Sequence, residues 1–182
     1  MNIFVLHHDA MLAAQAHCDK HVPKMIVESA QMLSTAHRLL DGEEYTAPSK
    51  SGKRIVKHYR LPKHDDLIYK AVHPKHPCTV WTMESLANYN WHYNLFSYLA
   101  QEFEYRFGKV HRSWQILHDV LIHAPENIVT KGLTPFAKAM KAYPDLMNIK
   151  DPVKAYQEFY KADKIKFAKW EKGREVPKWW DN

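Results

Sequence analysis

The sequence predicts a mainly α fold, a compact single-domain helical bundle with a short basic loop or hairpin. Three observations carry that expectation. Over residues 84–107 an unbroken stripe of Leu86, Tyr89, Tyr93, Phe96, Ala100, Phe103 and Phe107 recurs at spacings of three and four, which lines one face of a helix. Residues 10–20 hold strong helix formers and no breaker. Gly42 and Gly108 each stand where a helical pattern stops. Helices should therefore occupy most of the ordered chain and strand less than about a tenth of it.

Taken in order, residues 3–6 form a β-prone run that ends in His7-His8-Asp9, where Asp9 is placed to cap the helix that follows. Pro23 cannot donate an interior helix hydrogen bond, so it either kinks that helix or starts a second, which runs to about Leu40 and stops at Asp41-Gly42. Residues 42–76 lose the periodicity and read as a basic loop region, interrupted by Pro48, Gly52, Pro62 and Pro74. Within it, 54–59 and 67–69 can pair as a hairpin or remain two extended loop segments. The stripe helix ends at Gly108; further helices are expected over 112–124, briefly over 135–142, and as a Lys-rich C-terminal helix over 152–171 before a Pro177-Lys178-Trp179-Trp180 tail. No internal repeat or linker divides residues 1–182.

Lys+Arg number 26 against 20 Asp+Glu, and 6 Trp and 10 Tyr accompany them. Clustered positive charge with stacking faces favours a polyanionic partner, and nucleic acid over a membrane. No apolar run approaches the length of a membrane span, the N-terminus lacks a secretory pattern, and the only cysteines are Cys18 and Cys78, so a reducing cytoplasm is expected, that of the host cell if the gene is a phage's. With 5 glycines there is no phosphate-cradling loop, nucleophile elbow or dinucleotide fingerprint.

His21, Lys24, Glu28 and Gln31 are spaced three, four and three apart and share one face of the second helix, either as a cleft wall or as a solvated flank. His17, Cys18, His21 and Glu28 are permissible metal ligands, but their spacing matches no metal signature, and neither metal nor cofactor is expected. His58, His64, His73 and His76 sit in the loop region and read as solvent-facing rather than catalytic. His111, beside Arg106 and Arg112, either faces a phosphate or merely caps a helix. Trp81, Trp91, Tyr89 and Trp179-Trp180 can stack on bases or fill core.

Several segments, in order, resemble the pyrimidine-dimer DNA glycosylases, small helical base-excision enzymes of the phage endonuclease V type. Ile3-Phe4-Val5-Leu6 followed by Leu12-Ala13-Ala14-Gln15-Ala16-His17 is similar to that family's N-terminal segment and its histidine-bearing helix. Gly52-Lys53-Arg54-Ile55-Val56-Lys57 looks like its Gly-Lys-Arg loop beside DNA, and Glu102-Phe103-Glu104-Tyr105-Arg106-Phe107-Gly108 looks like its Glu-x3-Arg-Gly helix end with one residue inserted. The family attacks the sugar C1′ with the amine exposed by methionine removal, forming a Schiff base. Here residue 2 is Asn, a poor residue for methionine removal, and Lys24 stands where the family's catalytic glutamate aligns, with Glu28 one turn later.

The resemblance implies a glycosylase and abasic-site lyase acting on damaged or modified pyrimidines in DNA. Its amine comes from Met1 or Lys24, and Glu28 and His21 handle protons. DNA is expected to lie against His17 and Gln31, the loop residues Lys50, Lys53, Arg54 and Lys57, and Arg106, His111 and Arg112. Two alternatives stay open: an enzyme of phage type that modifies DNA bases without excising them, and a nucleic-acid-binding accessory protein without chemistry.

Overall fold

The computed structural model describes residues 1–49 and 51–180; Lys50 lies outside the described residues. Asp9 opens α1 (Ala10–Ala16), its carboxylate accepting from the Leu12 N–H at 2.9 Å. α2 (His21–Asp41) takes Pro23 in its first turn, where a missing N–H leaves no bond unmade, so the chain breaks cleanly between α1 and α2 instead of kinking. Gly42 follows because a Cβ there would stand 2.3 Å from the Arg38 carbonyl oxygen.

β1 (Glu43–Pro48) and β2 (Ile55–Arg60) then pair antiparallel, Glu43 opposite Arg60 and Pro48 opposite Ile55. The second strand was expected, but its partner is 43–48 and not 67–69. Residues 59–69 are held instead by Arg38, whose fully buried guanidinium donates to the carbonyls of Tyr59, Asp65, Ile68 and Tyr69 and to the Asp65 carboxylate at 2.6–2.7 Å. The Leu61 N–H foremost, and then this guanidinium, hold the Asp65 carboxyl down at about 2.

α3 (Pro77–Glu84) begins at a proline under a histidine cap and has no counterpart among the helices expected from the sequence. α4 (Leu86–Phe107) is the stripe helix, capped by Ser85 and ended by Gly108 at φ +64, a left-handed conformation glycine adopts without a Cβ penalty. α5 (Arg112–Leu121), α6 (Pro144–Met147) and α7 (Pro152–Lys164) complete the helices, α7 stopping short of the expected 171.

The expected helix over 135–142 does not form. Side chains hold this stretch instead: Asn88 Oδ1 accepts from Thr134 N–H just before it, and the Tyr156 hydroxyl accepts from Ala139 N–H and lies 2.9 Å from Ala137 O. Helix reaches 47% of the chain, short of most of it, because 61–76 and 122–143 are largely irregular. The fold is mainly α, with the two-stranded hairpin as its sheet among the described residues.

α2 and α4 pack together at the centre, burying Met25, Ile26, Met32, Leu33, Leu95, Phe96 and Leu99. The run 3–6 is buried but is no strand; it threads between α2 and α7, Phe4 at φ +34 placing its ring 5.0–6.3 Å from those of His17, His21, Tyr156, Phe159 and Tyr160. Trp81, Trp91 and Phe136 pack on one another, and Trp179 and Trp180 pack against Tyr160, so Trp81 joins the core and the others lie partly buried against it. No helix among the described residues is long and apolar enough to cross a membrane.

Candidate functional site

Asn2 is the knot that positions the site. Its side-chain carbonyl accepts from the Tyr156 hydroxyl at 2.8 Å, the Ile3 N–H at 2.9 Å and the Cys78 thiol at 3.5 Å, and its amide donates to Ala139 O at 3.1 Å. One buried side chain thus ties α3, α7 and the 137–139 segment to the start of the chain. Its backbone N–H donates to Glu28 Oε2 at 2.8 Å, which lays residues 1–2 along α2.

Glu28 is the centre of the arrangement. The Met1 amine stands 3.8 Å from its Oε2 and Lys24 Nζ 3.7 Å from its Oε1, so a single carboxylate faces both candidate amines. The surroundings differ: the Met1 side chain is 7% exposed and the Glu28 side chain 14%, while that of Lys24 is 59% exposed. An i,i+4 pair whose lysine stands in water, such as Lys24–Glu28, contributes only about 0.3–0.5 kcal/mol, so stability gives little reason for the cluster.

An open cleft of about 550 Å³ lies beside this cluster, lined in part by His73, Lys75, His76, Pro77, Ala139 and Lys141. Thr35, one turn beyond Gln31 on α2, holds the segment that leads into it: its hydroxyl accepts from the Val72 N–H at 3.1 Å. His73 then takes φ +47, a strained conformation for a residue with a Cβ, and the chain turns back toward α3. Burial lowers the proton affinity of His76, and the Met1 amine lowers it further while Glu28 opposes, which sets all three groups within electrostatic reach of one another.

A larger cavity, about 590 Å³, opens near the C-terminal end of α2. Two of its polar groups are engaged: His37 Nε2 meets the Tyr89 hydroxyl at 2.9 Å, and the Asp41 carboxylate accepts from the N–H groups of Glu126 and Asn127. The smaller cleft is the one that lies beside Met1 and Glu28.

Met1, Lys24 and Glu28 therefore come together, with Gln31 a turn further along α2. His21 does not join them. Its ring is buried 5.0–5.3 Å from those of Phe4, Tyr160 and Phe167, and burial, with the charges of Lys164, Lys24 and Lys20 adding to it, pushes its pKa down to about 3, so it packs neutral in the core and handles no proton at the cleft. His17 is wholly buried, its Nδ1 bound to Ala13 O, so it cannot contact DNA.

Arg106 is likewise internal. Its fully buried guanidinium donates to Glu102, Asp19, His17 O and Gln15 O at 2.8–3.0 Å, which leaves no donor for a phosphate. His111 caps α5, its Nδ1 accepting from Ser113 N–H at 3.2 Å, with Arg112 exposed beside it. Lys53 and Arg54 are exposed at the hairpin turn and Lys57 on β2, where it pairs with Glu44 at 2.7 Å. His17, Cys18, His21 and Glu28 do not converge, and among the described residues no group of three or more His, Cys, Asp or Glu is placed to hold a metal ion.

Asn2 and His76 were missed. Asn2 could be seen only as a poor site for methionine removal, and His76 only as one loop histidine among several; the one available signal was a histidine directly before Pro77, which fits a helix cap followed by a first-turn proline. Compared with known proteins, the chain matches no family model, no curated protein and no solved structure.

Proposed function

We propose that the chain is a DNA-acting enzyme of base-excision type, a glycosylase and abasic-site lyase that attacks a damaged or modified pyrimidine nucleotide through an amine. The observation that carries this reading is the single sheltered carboxylate, Glu28, within 4 Å of two amines at the edge of a cationic cleft. Met1 is the favoured nucleophile, because its side chain is buried against the site whereas that of Lys24 stands in water.

In this mechanism the amine nitrogen bonds to C1′ as the bond from C1′ to the base breaks, the electron pair leaving with the base. Glu28 takes the proton the amine loses. Glu28 returns that proton to O4′ as the C1′–O4′ bond breaks, which opens the sugar ring to the iminium and leaves the carboxylate free again. Removal of a 2′ proton, with Glu28 as base, expels the 3′ phosphate by β-elimination. The net charge of +6, with Lys53, Arg54 and Arg112 exposed, supplies the attraction to DNA.

The test is incubation with abasic or ultraviolet-damaged duplex in the presence of borohydride. A covalent adduct whose peptide map ends at Met1 is the expected result. An adduct at Lys24 moves the nucleophile from the start of the chain to α2. Absence of any adduct or product on damaged and modified DNA favours a binding module that uses the basic hairpin alone.

A further inference from the structure

His76 is a histidine whose tautomer the fold determines. Its Nδ1 accepts from the Cys78 N–H at 3.2 Å as the cap of α3, so this nitrogen presents its lone pair. The neutral ring must then carry its hydrogen on Nε2. That Nε2–H makes no hydrogen bond to the described residues, and His76 lines the cleft. The burial and the neighbouring amine that disfavour protonation keep the ring a neutral donor.

The remaining wall has one sign of charge. Lys75 and Lys141 are exposed, with no carboxylate partner among the described residues, and no Asp or Glu lines the cleft. Pro74, Pro77 and Ala139 add apolar surface to the lining.

We propose that this cleft seats one backbone phosphate of a DNA strand, with His76 Nε2–H donating to a non-bridging oxygen and Lys75 and Lys141 supplying the countercharge. The seat rests on the amine–carboxylate reading for its purpose, which is to hold the sugar next to that phosphate within reach of the amine. His76 makes and breaks no bond; it is a positioning residue, and a neutral donor suits an oxygen that must not take its proton. Among the several phosphates such a protein touches, this one is read by a directed hydrogen bond as well as by charge.

The probe is a duplex carrying one tetrahydrofuran abasic analogue, which has no aldehyde and cannot capture an amine. Binding by the full chain is compared with duplexes in which the phosphate on either side of the analogue is replaced by a neutral methylphosphonate. One replacement should weaken wild-type binding roughly tenfold or more. His76→Ser keeps a side chain that caps helices well and deletes the Nε2–H. This variant should melt as the wild type does, bind the all-phosphate duplex correspondingly less, and respond little to the sensitive methylphosphonate.

The proposal is overturned if neither methylphosphonate weakens the wild type, if His76→Ser retains the full methylphosphonate penalty, or if the wild type does not bind the duplex. The first of these outcomes needs no variant and so does not depend on how His76→Ser folds. Borohydride trapping on a true abasic duplex separates the two readings. Phosphate sensitivity without trapping keeps the seat and ends the amine, whereas trapping without phosphate sensitivity does the reverse.

Discussion

In the proposed mechanism Glu28, 14% exposed and flanked by two amines, acts through its charge and basicity, so its isostere separates function from folding. Glu28→Gln keeps an acceptor for the Asn2 N–H and should leave the melting temperature nearly unchanged, while turnover on abasic DNA falls by about 10²–10⁴-fold. Lys24→Ala removes an exposed side chain and should shift stability by less than about 0.5 kcal/mol. If Met1 is the nucleophile, Lys24→Ala still traps with borohydride and a short N-terminal extension does not. Arg106 shows the opposite behaviour. Arg106→Ala takes the guanidinium from the half-buried carboxylate of Asp19, which keeps only the Glu171 N–H, and from the carbonyls of Gln15 and His17, while Glu102 keeps Arg174 at 2.6 Å. A loss of about 3–5 kcal/mol is expected in denaturant unfolding, because removing one partner leaves buried charge uncompensated. The salt dependence of DNA binding should not move, and a shallower slope in this variant would return Arg106 to the DNA surface.

At the scale of elements, the hairpin and the helix ends make separate predictions. The β1–β2 ribbon stands largely exposed, and its turn carries Lys53 and Arg54 without ion-pair partners among the described residues, while Lys57 is shared with Glu44. Lys53→Ala with Arg54→Ala should weaken binding to all sequences alike and flatten the plot of log K against log salt by about 0.9 for each phosphate that the protein no longer neutralises. Titration of binding at several salt concentrations reads this directly, and an unchanged slope places the DNA elsewhere. Gly108 ends α4 at φ +64, with open space where a Cβ would stand. Gly108→Ala therefore meets no clash but a strained backbone, and should cost about 1 kcal/mol in thermal or denaturant unfolding.

The whole molecule carries a pH response set by its buried histidines. Burial pushes His17 and His37 down to about 4 and His21 and His92 down to about 3. His17 Nε2, His21 Nδ1 and His92 Nε2 have no hydrogen-bond partner among the described residues, so a proton there would be unshared. The folded state requires these rings neutral, whereas in the unfolded chain they bind protons below about pH 6.5. Unfolding therefore takes up protons as the pH falls, and the stability present above pH 6.5 is lost from 6.5 down to about 4 for His17 and His37 and to about 3 for His21 and His92, at about 1.4 kcal/mol per unit for each ring. With four such rings the loss by pH 5 approaches the whole stability of an ordinary domain. The melting temperature should be level from pH 8 to 6.5 and drop steeply below it, with His21→Phe reducing the drop. A melting temperature that stays level to pH 4.5 contradicts the neutral burial of these rings.

Local signals in the sequence were enough for α1, α2, α4 and α7, because a cap, a period of 3.6 and a stop residue act within a few turns of chain. The same periodicity placed Lys24, Glu28 and Gln31 along one helix, since an i,i+4 spacing is a property of the helix and needs no partner. What the sequence could not determine was anything held by a distant group. The pairing of β2 with 43–48 depends on Arg38 drawing residues 59–69 away, and the irregular path of 135–142 depends on Asn88 and Tyr156 capturing its backbone. Likewise His17, His21 and Arg106 look identical in sequence whether they face water or core; only the burial of Phe4, Tyr160 and Glu102 around them decided it. The tertiary fold also made the site from ordinary parts, bringing Met1 to Glu28 through the bonds of Asn2 and turning His76 onto the cleft beside them. Helix signals act over short stretches of chain and are written in residue order, whereas burial and convergence arise between residues far apart in that order and exist only once the chain has folded.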